Sequence, residues 1–278
     1  MQGVGVIALA SLLFGVMTVA VRGVAHDIPP MQVAFWRFLG STVVVLLGSG
    51  TTAIRPQAAP VGVLLLRGLL GAAAISFWFT GIRDVGAAVA TLLHSTYPLW
   101  ATLISVVVFR ERFGWQIGVA LLLNLAGIAL VVGPLGGNQP QVLRGVAYSL
   151  VAGMLAGAAV ATARHLRATE NATVITLWFM VTGALVTAPS LAFGSPAWSP
   201  ALVAGLVLVA ITSTGGQWLL HHGLGFTTAA QGSLAAATSI ITTALLEHWW
   251  FGSTLGGHTV LGGALMVAAV ALAMSKRD

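Results

Sequence analysis

Ten times along this chain a run of apolar residues long enough to span a bilayer recurs between short polar or Pro-containing breaks. A membrane-crossing helix needs about 20 such residues, so the recurrence leaves few folds open. The runs cover about Gly3 to Val21, Met31 to Leu47, Val61 to Phe79, Gly86 to Phe109 and Trp115 to Val132. After the longest loop, Gly133 to Arg144, they resume at Gly145 to Ala163, Thr173 to Phe193, Pro200 to Leu220, Thr228 to Phe251 and Thr259 to Met274. Only 6% of the residues are charged, against roughly 25% in a soluble domain, so lipid is the solvent this surface suits. Backbone groups left unpaired in hydrocarbon cost several kcal/mol each, and the short alternating strands of a β-barrel are absent from the pattern. Each run is therefore expected to be a helix.

The basic residues carry the topology. There are 12, of which Lys276 alone is Lys, against 6 acidic residues, for a net charge of +6. They stand singly at the ends of the runs and form no patch for nucleic acid. Arg55, Arg110, Arg112, Arg164, Arg167, Lys276 and Arg277 fall on the side of the two termini. Arg22, Arg83 and Arg144 fall on the other side, and Arg37 and Arg67 lie inside spans. The positive-inside bias puts both termini in the cytoplasm. The chain has no Cys, which removes disulfides and thiolate chemistry. No basic stretch precedes the first run and no cleavage signature follows it, so it reads as a first span and not as a signal peptide.

Sliding the chain on itself by about 141 residues gives a weak internal match. Gly86 to Leu92 falls on Thr227 to Ser233, Trp36 falls near Trp178, Ser76-Phe77 falls on Gln217-Trp218, and a small insertion brings Gly118 onto Gly262. An odd number of spans per copy makes the second copy enter the membrane from the opposite face, a recurring plan of secondary transporters. The expected fold is an all-α polytopic membrane protein, with ten transmembrane helices as two inverted five-helix repeats around a central cavity. Residues 1–133 form the first repeat, 134–144 the linker and 145–278 the second repeat.

Tyr97-Pro98, Phe109-Arg110-Glu111-Arg112, Gln116-Ile117-Gly118 and Gly127, with Arg37 in the second span, stand at distances that resemble the EamA-type half of the drug/metabolite transporter superfamily. His94 and Tyr97 ahead of Pro98, a short first loop and many internal aromatics look most like YddG-type exporters of aromatic and other neutral amino acids. The resemblance covers ten spans and two halves. It departs in the second half, where Trp250-Phe251-Gly252-Ser253 replaces the acidic residue that often follows the penultimate span. It implies a ten-helix basket with a central cavity, export of neutral amino acids and an Arg at position 37. The inverted repeat points to alternating access, and the Arg-heavy, Ala/Gly/Val-rich composition to a bacterial cytoplasmic membrane.

Candidate binding residues follow from polar and aromatic side chains inside spans. No Asp or Glu lies near the middle of any span, so a cation would lack its usual counter-charge and a neutral or zwitterionic cargo is expected. His94 stands about 12 Å inside its span, by eight residues of helical rise, and Tyr97 follows on the same face. They serve either to hold a carboxylate and amine or to fasten helices by buried hydrogen bonds. Pro98 removes a helical hydrogen bond and is expected to bend or hinge the fourth span. Thr91, Ser95, Thr102 and Ser105 trace one stripe of that span, and Gln231, Thr238 and Thr242 trace a comparable one on the ninth. Each stripe lines a wet cavity or packs helices closely.

Phe77, Trp78, Phe79, Trp100, Trp178, Gln217 and Trp218 are the further candidates, with Trp78 and Phe79 also readable as interfacial belt residues. Arg37 reads as a structural ion pair or a rim charge, and both it and Arg67 are long enough to snorkel. His221-His222 has no third metal ligand at useful spacing. No cofactor or metal is expected, and the expected partners are a small-molecule amino acid and the bilayer, with the protein a monomer. Three rivals remain: an exporter of drugs or other uncharged metabolites, a channel, and an intramembrane hydrolase around Ser233, which lacks a nucleophile motif and a buried acid.

Overall fold

The computed structural model describes residues 2–49, 55–56, 58–109, 115–132, 139–167, 169–223 and 229–274. These residues form eleven α-helices and no strand. The helices are α1 (Gln2–Val24), α2 (Pro30–Ser49), α3 (Val61–Val85), α4 (Ala87–His94), α5 (Tyr97–Phe109) and α6 (Trp115–Val132). They continue with α7 (Pro140–Leu166), α8 (Ala172–Thr187), α9 (Pro200–Gly223), α10 (Ala229–Phe251) and α11 (Gly257–Met274). A 3-10 turn over Ala188–Phe193 prolongs α8. Among the described residues, 6 helices are long and apolar enough to cross a membrane: α1, α2, α3, α7, α8 with its 3-10 extension, and α9.

Several helices run past the expected ends, α3 reaching Val85 and not Phe79, and two boundaries differ for local reasons at a proline. The fourth run is two helices. Pro98 has no N–H for the His94 carbonyl and its ring crowds that carbonyl, so α4 stops at His94 and a new helix begins at Tyr97. Pro98 occupies the second position of α5, where a missing N–H costs nothing; it starts a helix instead of kinking one. The sixth run begins earlier than Gly145, because Pro140 opens α7 from its first turn. Arg144 then lies on that helix and grips Asp84 at the end of α3, with Nε and Nη2 donating to Oδ2 and Oδ1 at 2.7 and 3.0 Å.

The largest helix contacts are α3 with α7, α1 with α9, α6 with α11 and α1 with α10. Small residues allow the close approach that membrane helices rely on in place of a hydrophobic drive. Gly127 and Gly262 face one another across α6 and α11, each lying where a Cβ would meet the other's carbonyl oxygen at 2.7 and 2.6 Å. The outer faces are apolar: Leu122 and Leu185, 68% and 69% exposed, point away from the bundle, as a lipid-facing surface requires.

Carboxylates fasten the two ends of α3's neighbourhood. Glu247 of α10 accepts the backbone N–H groups of Ala87 and Ala88 at 2.8 and 2.5 Å and pairs with Arg22 of α1. It thereby serves two donors that the start of α4 leaves without helical acceptors. Gly86, at φ 85, turns the chain from α3 into α4, and a Cβ there would press on Glu247 Oε1 at 3.1 Å. At the other end of α3, Glu170 accepts the N–H groups of Ala58 and Ala59 at 2.7 and 2.8 Å.

Candidate functional site

Where α4 breaks, its last residues and the first of α5 face the bundle interior, and a cavity of about 130 Å³ opens there. That volume is roughly ten water positions, room for one small metabolite. Trp78, Thr91, His94, Ser95, Tyr97 and Gln217 all line it. The His94 imidazole stacks on Trp78 at 4.5 Å between ring centroids and 14° between planes, and Tyr97 leans on it at 5.9 Å. These three rings make a continuous aromatic wall. The hydroxyl of Thr91 is buried with no hydrogen-bond partner among the described residues, whereas Ser95 Oγ donates back to the Thr91 carbonyl at 2.7 Å.

Gln217 reaches the cavity from α9 and is oriented from behind. Its Nε2 donates to His221 Nε2 at 3.0 Å, His221 Nδ1 donates to Thr176 Oγ1 at 2.8 Å, and Thr176 donates to the Ala172 carbonyl at 2.7 Å. This chain of donors, assigned from the network, ties α9 to α8. His221 is thus committed to helix packing.

Trp78 is 5% exposed and faces the cavity, so it is no belt residue. Phe79 is fully buried in the main apolar core. Phe77 packs on Tyr148 at 5.3 Å, Trp100 donates its indole N–H to Thr96 Oγ1 at 3.2 Å, and Trp178 joins a separate cluster with Leu166 and Ile175. Trp218 is 45% exposed and stacks on His222 at 5.3 Å. None of these four lines the cavity. The side chains of Thr102, Ser105, Gln231 and Thr238 lie outside those the structure describes.

The arginines depart most from expectation. Arg37 and Arg67 are 1% and 4% exposed, and both line the cavity. Neither snorkels. Arg37 lies 4.7 Å from the Phe38 ring centroid and 5.7 Å from that of Phe179, and Arg67 lies 4.3 Å from the Phe179 ring. Among the described residues neither has an ion pair, so the structural-pair reading of Arg37 is not met. The sequence reading also missed Ser11, Phe14 and Thr18, which bring α1 to the cavity wall. Small hydroxyls on a first span were the available signal.

A helical membrane bundle with a largely apolar cavity, carrying a few polar and charged groups, among its helices has the architecture expected of a small-molecule transporter. The chain belongs to the EamA-like transporter family, whose model matches residues 1–133 and again 143–275. The pseudopaline exporter CntI of Pseudomonas aeruginosa (strain UCBPP-PA14) is 27% identical, over 99% of this chain and 97% of that protein. An uncharacterized transporter of Helicobacter pylori (strain J99) is 25% identical over 97% of this chain and 95% of its own length. Another, from Archaeoglobus fulgidus, is 25% identical over 98% and 96%. A solved crystal structure shares the fold with a TM-score of 0.67 at 20% identity, covering 97% of this chain and 95% of that one.

Proposed function

We propose that this membrane transporter is a secondary exporter of amino acids with aromatic or other hydrophobic side chains, and of related metabolites, working by alternating access in a bacterial cytoplasmic membrane. The observation that carries the reading is the aromatic wall of Trp78, His94 and Tyr97 beside polar groups in one cavity. Such a wall offers area to a hydrophobic side chain, while the polar groups fix its charged end. The relative named as an exporter supports the outward direction.

In this reading the bundle crosses the membrane ten times, α4 and α5 together making one span, with both termini cytoplasmic. Two inverted halves, 1–133 and 145–278, are supported by an exchange in the packing. Swapping each span for its counterpart turns the α1–α9 contact into α7–α3, α1–α10 into α7 with α4 and α5, and α2–α9 into α8–α3, all of which are present. Each half can then take the other's conformation. Pro98 and the break before it supply the place where α4 and α5 change angle. A drug exporter is the second reading. The two cavity arginines disfavour it, since an uncharged cargo leaves them unpaired.

Flux of labelled phenylalanine from proteoliposomes tests the reading, with wild type beside His94→Ala. The expected result is efflux well above empty liposomes, lowered about tenfold in the variant, the loss of one ring contact and one charged-end hydrogen bond. Efflux of a neutral dye without phenylalanine would transfer the assignment to the drug exporter.

A further inference from the structure

We propose that Arg37, Arg67 and the Phe179 ring they share form a carboxylate-binding subsite of the cavity, so that among amino acids and their relatives those with a free carboxylate and no ammonium bind best. The proposal rests on the transporter reading only for its use; the subsite itself rests on geometry. On each guanidinium the Nε and Nη1 atoms are buried and meet no acceptor among the described residues. The described acids are engaged elsewhere or distant: Asp84 with Arg144, Glu247 with Arg22, Glu170 with the Ala58 and Ala59 amides, and Asp27 on the exposed first loop.

Two cations held out of water without a counter-charge are costly. A zwitterion repairs this in part, because its carboxylate pairs with an arginine while its ammonium adds a positive charge back. A monoanion neutralises one cation and accepts from the donors of both, in the forked geometry that guanidinium offers to a carboxylate. Gly71 makes room for the Arg67 guanidinium itself. Gly71 stands where a Cβ would collide with Arg67 Nη1 and, at 2.5 Å, with Phe179. The glycine lets the unpaired Nη1 of Arg67 lie against the α3 backbone beside Phe179, among the residues that line the cavity, so a small rotation of the side chain is enough to present it to a bound anion.

The test is isothermal titration calorimetry on the full chain in detergent with N-acetylphenylalanine, phenylalanine, phenylalaninamide, N-acetylphenylalaninamide and phenyl phosphate. N-Acetylphenylalanine is expected to bind at least about tenfold tighter than the zwitterion and tighter still than either amide, the margin of a charge-assisted hydrogen bond. Arg37→Gln and Arg67→Gln each lose that margin and leave N-acetylphenylalaninamide within about twofold, while Arg67→Lys keeps part of it. Without ligand the Gln variants melt no lower than wild type, because an unpaired buried charge has gone; an arginine that merely held helices together would melt lower.

Equal binding of N-acetylphenylalanine and its amide, or Gln variants that bind the anion as wild type does, overturns the subsite. Tighter binding of phenyl phosphate moves it from carboxylate to phosphate and overturns the class proposed. Should a Gln variant not fold, the ranking of the five probes on the wild type decides alone. Anion-selective binding without flux of any probe would defeat the exporter reading and leave the subsite standing. Phenylalanine efflux that ignores both Gln variants does the reverse.

Discussion

Replacing Glu247 by Ala is expected to lower the stability of the bundle by about 3 kcal/mol, the cost of a broken, largely buried ion pair and two orphaned amides, less what solvent returns to Arg22. The carboxylate joins three elements, since Arg22 belongs to α1, the Ala87 and Ala88 amides to α4, and Glu247 itself to α10. Arg22 keeps a hydrogen bond to Ser253 Oγ at 3.0 Å and its place over Phe251, so the side chain stays and only its counter-charge leaves. Glu247→Gln retains one acceptor but turns an amide NH2 toward donors, and about half the loss is expected. Thermal unfolding of both variants in one detergent checks the order. A variant as stable as wild type would show that the carboxylate holds nothing together.

Gly157→Val is expected to cost about 1–3 kcal/mol, the range for overpacking a close contact, and to abolish flux. A Cβ on Gly157 would come within 2.7 Å of the Tyr97 carbonyl oxygen and 2.8 Å of the Ala101 amide nitrogen. Those are backbone atoms, so no rotamer relieves the clash, and α5 must move away from α7 and take Tyr97 with it. Gly153, one turn earlier on α7, similarly faces the His94 carbonyl at 2.9 Å. The cavity wall is therefore positioned by glycines on the opposite helix. Retained efflux in Gly157→Val would break the link between this packing and the site.

Much of this was legible in the sequence. Spanning runs, their breaks and the polar residues inserted in the fourth run follow from the cost of polar groups in lipid, and Thr91, His94, Ser95 and Tyr97 do meet at one cavity. Helix orientation was not legible. These spans are apolar on every side, so no moment points to the face that turns inward, and Trp218 faces out while Trp78 faces in. Arg37 reads from the sequence as an ion pair or a rim charge, and both arginines are long enough to snorkel; Phe38 and Gly71 on their own helices and Phe179 on α8 keep them inside. The partner of Glu247 lay out of reach too, because Arg22 and the start of α4 are remote in the chain.

The most direct test of alternating access uses the absence of cysteine. Ser95→Cys puts one thiol on the cavity wall, to be labelled by a membrane-impermeant maleimide from either face, in right-side-out and inside-out vesicles. The account predicts labelling from both faces, slowed from both by N-acetylphenylalanine, with Glu247→Ala raising the rate at the outer face. Labelling from one face only, unchanged by Glu247→Ala, would contradict it.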